Sequence, residues 1–121
     1  SKCSDSYYIF DVDDSKKAQQ LLGENALLIN PNEVKVLVER NNVPNLVKKL
    51  VDNNIKSSLI SICEDLEERG YNPIKQIVAY LISGDPGYIS SYKECRNRIL
   101  KFKREDILEL MLVKYIKKWH I

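Results

Sequence analysis

Apolar positions along this chain recur with two different periods, and the period changes near the middle. Tyr7-Tyr8-Ile9-Phe10-Asp11-Val12 is aromatic and β-branched, which predicts a short strand. Asp13-Asp14-Ser15 then supplies helix-capping oxygens, and Ala18, Leu21 and Leu22 share one helical face before Gly23, a residue suited to a C-terminal cap. Residues 26–29 and 33–39 flank Asn30-Pro31-Asn32, and the second run alternates with period two, so an antiparallel hairpin is expected. Asn42-Val43-Pro44 opens a second helix carrying Leu46, Val47, Leu50 and Val51, which Asn53-Asn54 is expected to stop.

From Ile55 onward the alternation disappears and four helical patterns follow. Ile55, Leu59, Ile62, Cys63 and Leu66 mark one face of a helix placed from about Ser57 to Arg69, closed by Gly70. Pro73 starts another, with Ile74, Ile77, Val78 and Leu81 expected inward and Gly84-Asp85-Pro86-Gly87 as its breaker. A third is expected from about Ser91 to Phe102. The fourth begins at Glu105 or Asp106, its main apolar face formed by Ile107, Leu108, Met111, Leu112, Tyr115 and Ile116 towards Trp119, with Leu110, Val113 and Ile121 off that face. Subunit contact is the expected cover for this excess apolar surface, with the first half of the same chain as the alternative cover. The fold class read from these patterns is α+β: a β-α-β-β-α half over residues 1–56, then a four-helix all-α half over 57–121.

Composition narrows the chemistry. A content of 44% hydrophobic and 30% charged residues fits a globular chain, and a net charge of +2 is too small to argue for nucleic-acid or membrane binding as a whole, so any basic patch must be local. No apolar run approaches the ~20 residues needed to span a bilayer and no apolar signal region follows the first residues, so a cytoplasmic protein without membrane insertion is expected. Cys3, Cys63 and Cys95 are odd in number and irregularly spaced, which predicts reduced thiols. The single histidine, His120, and the absence of any Gly-rich phosphate loop leave no catalytic, metal or cofactor constellation. Pairs such as Glu67-Glu68 and Glu105-Asp106 read as solvated helix surface, so no enzyme is expected.

The stretch from Glu67 to Ile89, with Gly70-Tyr71-Asn72-Pro73-Ile74 and Ser83-Gly84-Asp85-Pro86-Gly87-Tyr88-Ile89 in order, continues through Cys95-Arg96-Asn97-Arg98-Ile99 to Leu108 and resembles the IreB family over about residues 57–118. The resemblance implies a compact helical homodimer of the cytoplasm of low-GC Gram-positive bacteria, without catalysis. It also implies a negative regulator of intrinsic cephalosporin resistance that is a substrate of a membrane Ser/Thr kinase. Gly70, Tyr71, Asn72, Pro73, Gly84, Asp85, Pro86 and Tyr88 are the family-motif positions, suited to structural or interaction roles. The family's phosphorylation falls on threonines of an N-terminal tail. This chain has no threonine, which leaves Ser4 and Ser6, in a polar terminus, as candidate phosphoacceptors. More weakly, residues 7–56 resemble the small C-terminal domain of some bacterial ABC-transporter ATPase subunits, which implies an edge strand over 55–62 where the helical period predicts helix.

The leading expectation is therefore a non-enzymatic regulator with a protein partner. The alternative is nucleic-acid binding: residues 93–104 hold six cations, Lys93, Arg96, Arg98, Lys101, Lys103 and Arg104, against Glu94 alone, a local charge of +5 on the expected helix 91–104 of a helix-turn-helix-like arrangement. A third reading makes the first half a docking domain whose hairpin edge pairs with a partner strand.

Overall fold

The structure, a computed structural model, describes residues 5–119, without the Trp119 side chain. Cys3, Ser4, His120 and Ile121 lie outside the described residues. The chain is mixed α+β and divides into two compact units, Ser1–Val51 and Asp52–Ile121.

The first unit holds strand β1 (Asp5–Asp11), helix α1 (Ser15–Leu22), strands β2 (Ala26–Asn30) and β3 (Glu33–Glu39), and the start of helix α2. The sheet is antiparallel with β3 in the centre, order β1-β3-β2. Tyr7 pairs with Leu37, Phe10 with Val34 and Ala26 with Val36, and an irregularity between Leu28 and Asn30 closes the expected hairpin. Alternation decides the faces. Val34 and Val36 are buried with Ala18 and Ala26, and Phe10, Val12, Leu22, Val38, Leu46 and Leu50 pack around them. Asp14 caps α1 by accepting from the Lys16 and Lys17 amides at 3.0 and 3.2 Å. Asn32 Nδ2 donates to the Val12 and Asp13 carbonyls at 3.3 and 3.2 Å, which ties the hairpin turn to the end of β1.

Helix α2 runs without interruption over Val43–Glu68, so Asn53-Asn54 does not end it and the edge strand implied over 55–62 is helix. Asparagine is a weak helix former but not a breaker, costing at most about 0.7 kcal/mol per residue. The adjacent Ile55 is fully buried, and burial of such a side chain contributes about 2 kcal/mol. The second unit continues with α3 (Pro73–Ser83), α4 (Cys95–Ile99) and α5 (Arg104–Trp119). Its core joins Ile55, Ile62, Leu66, Ile77, Tyr80, Leu81, Ile89, Cys95, Ile99, Ile107 and Leu110.

Three expectations are corrected here. The helix expected over 91–102 is a single 3-10 turn, Tyr92–Glu94, followed by the five-residue α4, because Lys93 and Glu94 adopt left-handed backbone at φ 49° and 62°. In α3, Ile74 and Val78 face solvent, since Ile77, Tyr80 and Leu81 fill the core side. In α5, Ile107 and Leu110 are buried while Leu108, Met111, Leu112, Tyr115 and Ile116 are exposed, so the helix is rotated from the face its apolar residues suggest.

Candidate functional site

The family-motif residues sit at the two ends of α3, and most of their polar atoms are spent on backbone. Gly70 has φ 85°, a left-handed value that favours glycine. It lets the Tyr71 amide reach the Leu66 carbonyl at 3.0 Å while its own amide donates to Glu67 at 2.9 Å, a Schellman closure of α2. Asn72 then caps α3, its Oδ1 accepting from the Lys75 amide at 3.1 Å, and buried Pro73 fills the first turn, where a missing N–H costs nothing. At the other end the Gly84 amide donates to the Tyr80 carbonyl at 2.7 Å with φ 77°. Asp85 Oδ1 accepts from Gly87 at 2.8 Å and starts the 3-10 turn Pro86–Tyr88. Tyr71 and Tyr88 are exposed.

The cations of 93–104 are drawn largely into internal contacts. Arg98 donates to Asp65 at 2.6 Å, to Ser61 Oγ at 2.7 Å and to the Lys93 carbonyl at 3.2 Å, which joins α4 to α2. Arg96 Nε donates to the Ile89 carbonyl at 2.9 Å. Arg104 donates to the Leu81 carbonyl at 3.1 Å, and its guanidinium lies so close to Gly84 that a Cβ there would meet it at 2.8 Å. Lys93 bridges Glu68 at 2.8 Å, and Tyr92 donates to the same carboxylate at 3.2 Å. These donors hold the Glu68 carboxyl below its ordinary value, while the hydrogen bond to Glu68 raises Lys93. Lys101 is exposed. With α4 five residues long and three guanidiniums turned to carbonyls or Asp65, the recognition helix needed for the nucleic-acid alternative does not form.

Ser6 lies exposed on edge strand β1 opposite Val38. Cys63 and Cys95 are free thiols, and burial pushes both pKa values up, so the protonated, weakly nucleophilic form dominates at neutral pH. Among the described residues no three His, Cys, Asp or Glu side chains gather as metal ligands. No helix of the described residues is long and apolar enough to cross a membrane.

The second unit also leaves apolar side chains open to solvent. On α3, Ile74, Val78 and Ile82 recur every four residues, with Ile74 66% and Ile82 79% exposed. On α5, Leu112 and Tyr115 are 60% and 64% exposed. The ridge on α3 was hidden from sequence reasoning because Ile74 and Val78 fit the same helical period as the true core residues. Ile82, which extends the four-residue spacing of Ile74 and Val78 past the last core residue Leu81, was the available signal.

A helix framed by glycine and proline closures, a basic segment folded back on its neighbours and exposed apolar ridges describe a scaffold for contact. The model of one family, IreB regulatory phosphoprotein, matches residues 32–117, from the hairpin turn through nearly all of α5. The match takes in β3 and the start of α2 as well as the helical unit. With 86 of 121 residues covered, this chain belongs to the IreB family of regulatory phosphoproteins.

Proposed function

We propose that this protein is a non-enzymatic cytoplasmic regulator that acts as a homodimer, engages a protein partner through its helical unit and is phosphorylated by a Ser/Thr kinase. In this reading it restrains intrinsic cephalosporin resistance in a Gram-positive bacterium, the role that the sequence resemblance suggests. The observation that carries the proposal is the family match over residues 32–117. The uncovered ridge Ile74, Val78 and Ile82 supports self-association, because isolated apolar side chains on one four-residue repeat fit the groove of a second helix. Ser4 and Ser6 are the proposed acceptors. Ser6 is presented on an extended edge strand, the conformation in which a chain can lie along another protein's cleft.

Light scattering on the full chain tests the dimer: twice the 14.1 kDa chain mass is expected, falling to the monomer in an Ile74→Glu/Ile82→Glu variant. Both positions are exposed, so folding should survive. A wild-type monomer would remove the dimer. Incubation with a bacterial Ser/Thr kinase and ATP, read by mass spectrometry, is expected to add phosphate at Ser4 or Ser6; no incorporation would remove phosphoregulation at those sites.

A further inference from the structure

We infer that the C-terminal tip of α5 is a docking element for an anionic lipid surface. From Met111 to Lys118 every residue of α5 is exposed, although the helix continues to Trp119. At 3.6 residues per turn these two turns divide cleanly. Met111, Leu112, Val113, Tyr115 and Ile116 occupy one continuous arc, and Lys114, Lys117 and Lys118 occupy the remainder. Residues 111–118 hold three lysines and no Asp or Glu.

Each half of that arrangement has an ordinary explanation, but not both together. Lysines in a last turn answer the negative end of the helix macrodipole, yet this requires no apolar arc beside them. An apolar arc alone suits a second copy, yet packing arc against arc would leave the lysines facing solvent without a role. A negatively charged bilayer answers both features. The apolar arc enters the headgroup boundary, the lysine stems run along it, and the ammonium groups reach phosphates. Tyr115, with an apolar ring and a polar hydroxyl, belongs at that level.

Trp119, the only tryptophan in the chain, ends α5 and reports on the event. The full protein should show a blue-shifted emission and co-sediment with phosphatidylglycerol/phosphatidylcholine vesicles, but not with phosphatidylcholine alone. Binding should weaken as salt rises from about 0.05 to 0.5 M. Each lysine contributes roughly fivefold near an anionic surface, so Lys114→Gln/Lys117→Gln/Lys118→Gln should weaken binding by about a hundredfold. Leu112→Ser/Ile116→Ser should also abolish the blue shift, with circular dichroism unchanged. Equal binding to neutral vesicles, no binding to anionic ones, or an unaffected triple variant would overturn the inference. So would a dimer that dissociates on Leu112→Ser/Ile116→Ser, since the arc would then be covered by another copy. The Ile74→Glu/Ile82→Glu variant should still bind vesicles, so this inference and the dimer proposal fail separately.

Discussion

At the scale of single residues, the most telling contact is Lys93 with Glu68, because its two pKa displacements have opposite consequences for stability. Glu68 is held below its ordinary value, so its contribution is present at neutral pH and is lost as pH falls through its folded value. Lys93 is held above its ordinary value, so its contribution is present at neutral pH and is lost as pH rises through the folded value. Denaturant midpoints measured across pH should therefore fall at both extremes, and Glu68→Gln should remove this bridge's share of both limbs. An unchanged profile in that variant would show that the contact is fully screened by solvent. Local residue roles were readable in the sequence: Asn72 beside Pro73 announces a cap, and Gly70 and Gly84 announce helix ends. The roles of Lys93 and Arg98 were not, because Glu68 and Asp65 lie 25 and 33 residues away and sequence spacing gives no measure of such pairs. A basic run therefore reads as a candidate nucleic-acid-binding helix in sequence, whereas in the fold its partners draw it inward.

At the scale of elements, errors in the sequence reading fall where the apolar period is ambiguous. The helices of the second unit were legible from Gly and Pro punctuation, but the buried faces of α3 and α5 were not, since both helices carry apolar side chains almost all round. The core took Tyr80 and Leu110, leaving Ile74 and Leu108 outside. The break before α4 was also hidden, because Lys93 and Glu94 are good helix formers. Left-handed backbone costs a non-glycine residue about 1–2 kcal/mol, and Arg98 Nη1 bonding to the Lys93 carbonyl helps hold it there. Glu94→Gly should accordingly raise stability by up to about 1 kcal/mol in thermal or denaturant unfolding, offset in part by the lost Asn97 to Glu94 hydrogen bond. A clear fall would mean that this carboxylate matters more than the backbone it strains.

At the scale of the whole molecule, the α+β character and the family were readable, whereas the continuity of α2 was not. The sheet unit announced itself by alternation and the helical unit by its motifs, but the helix linking them crosses two asparagines that look like punctuation. Leu46 and Leu50 of this helix pack with the first core, and Ile55, Ile62 and Leu66 lie in the second. Asn54→Pro removes a backbone donor from the helix interior and should cost about 3 kcal/mol, with faster amide exchange in both β3 and α4. Faster exchange in β3 alone would show that the second core tolerates a broken α2. The uninterrupted helix also has a practical corollary for anyone dissecting this protein. Scissors placed after Lys56 would strip Ile55 from the downstream piece and leave an orphaned helical stump on the upstream one, so an excised bundle has to retain a turn that a division between residues 56 and 57 would assign to its neighbour.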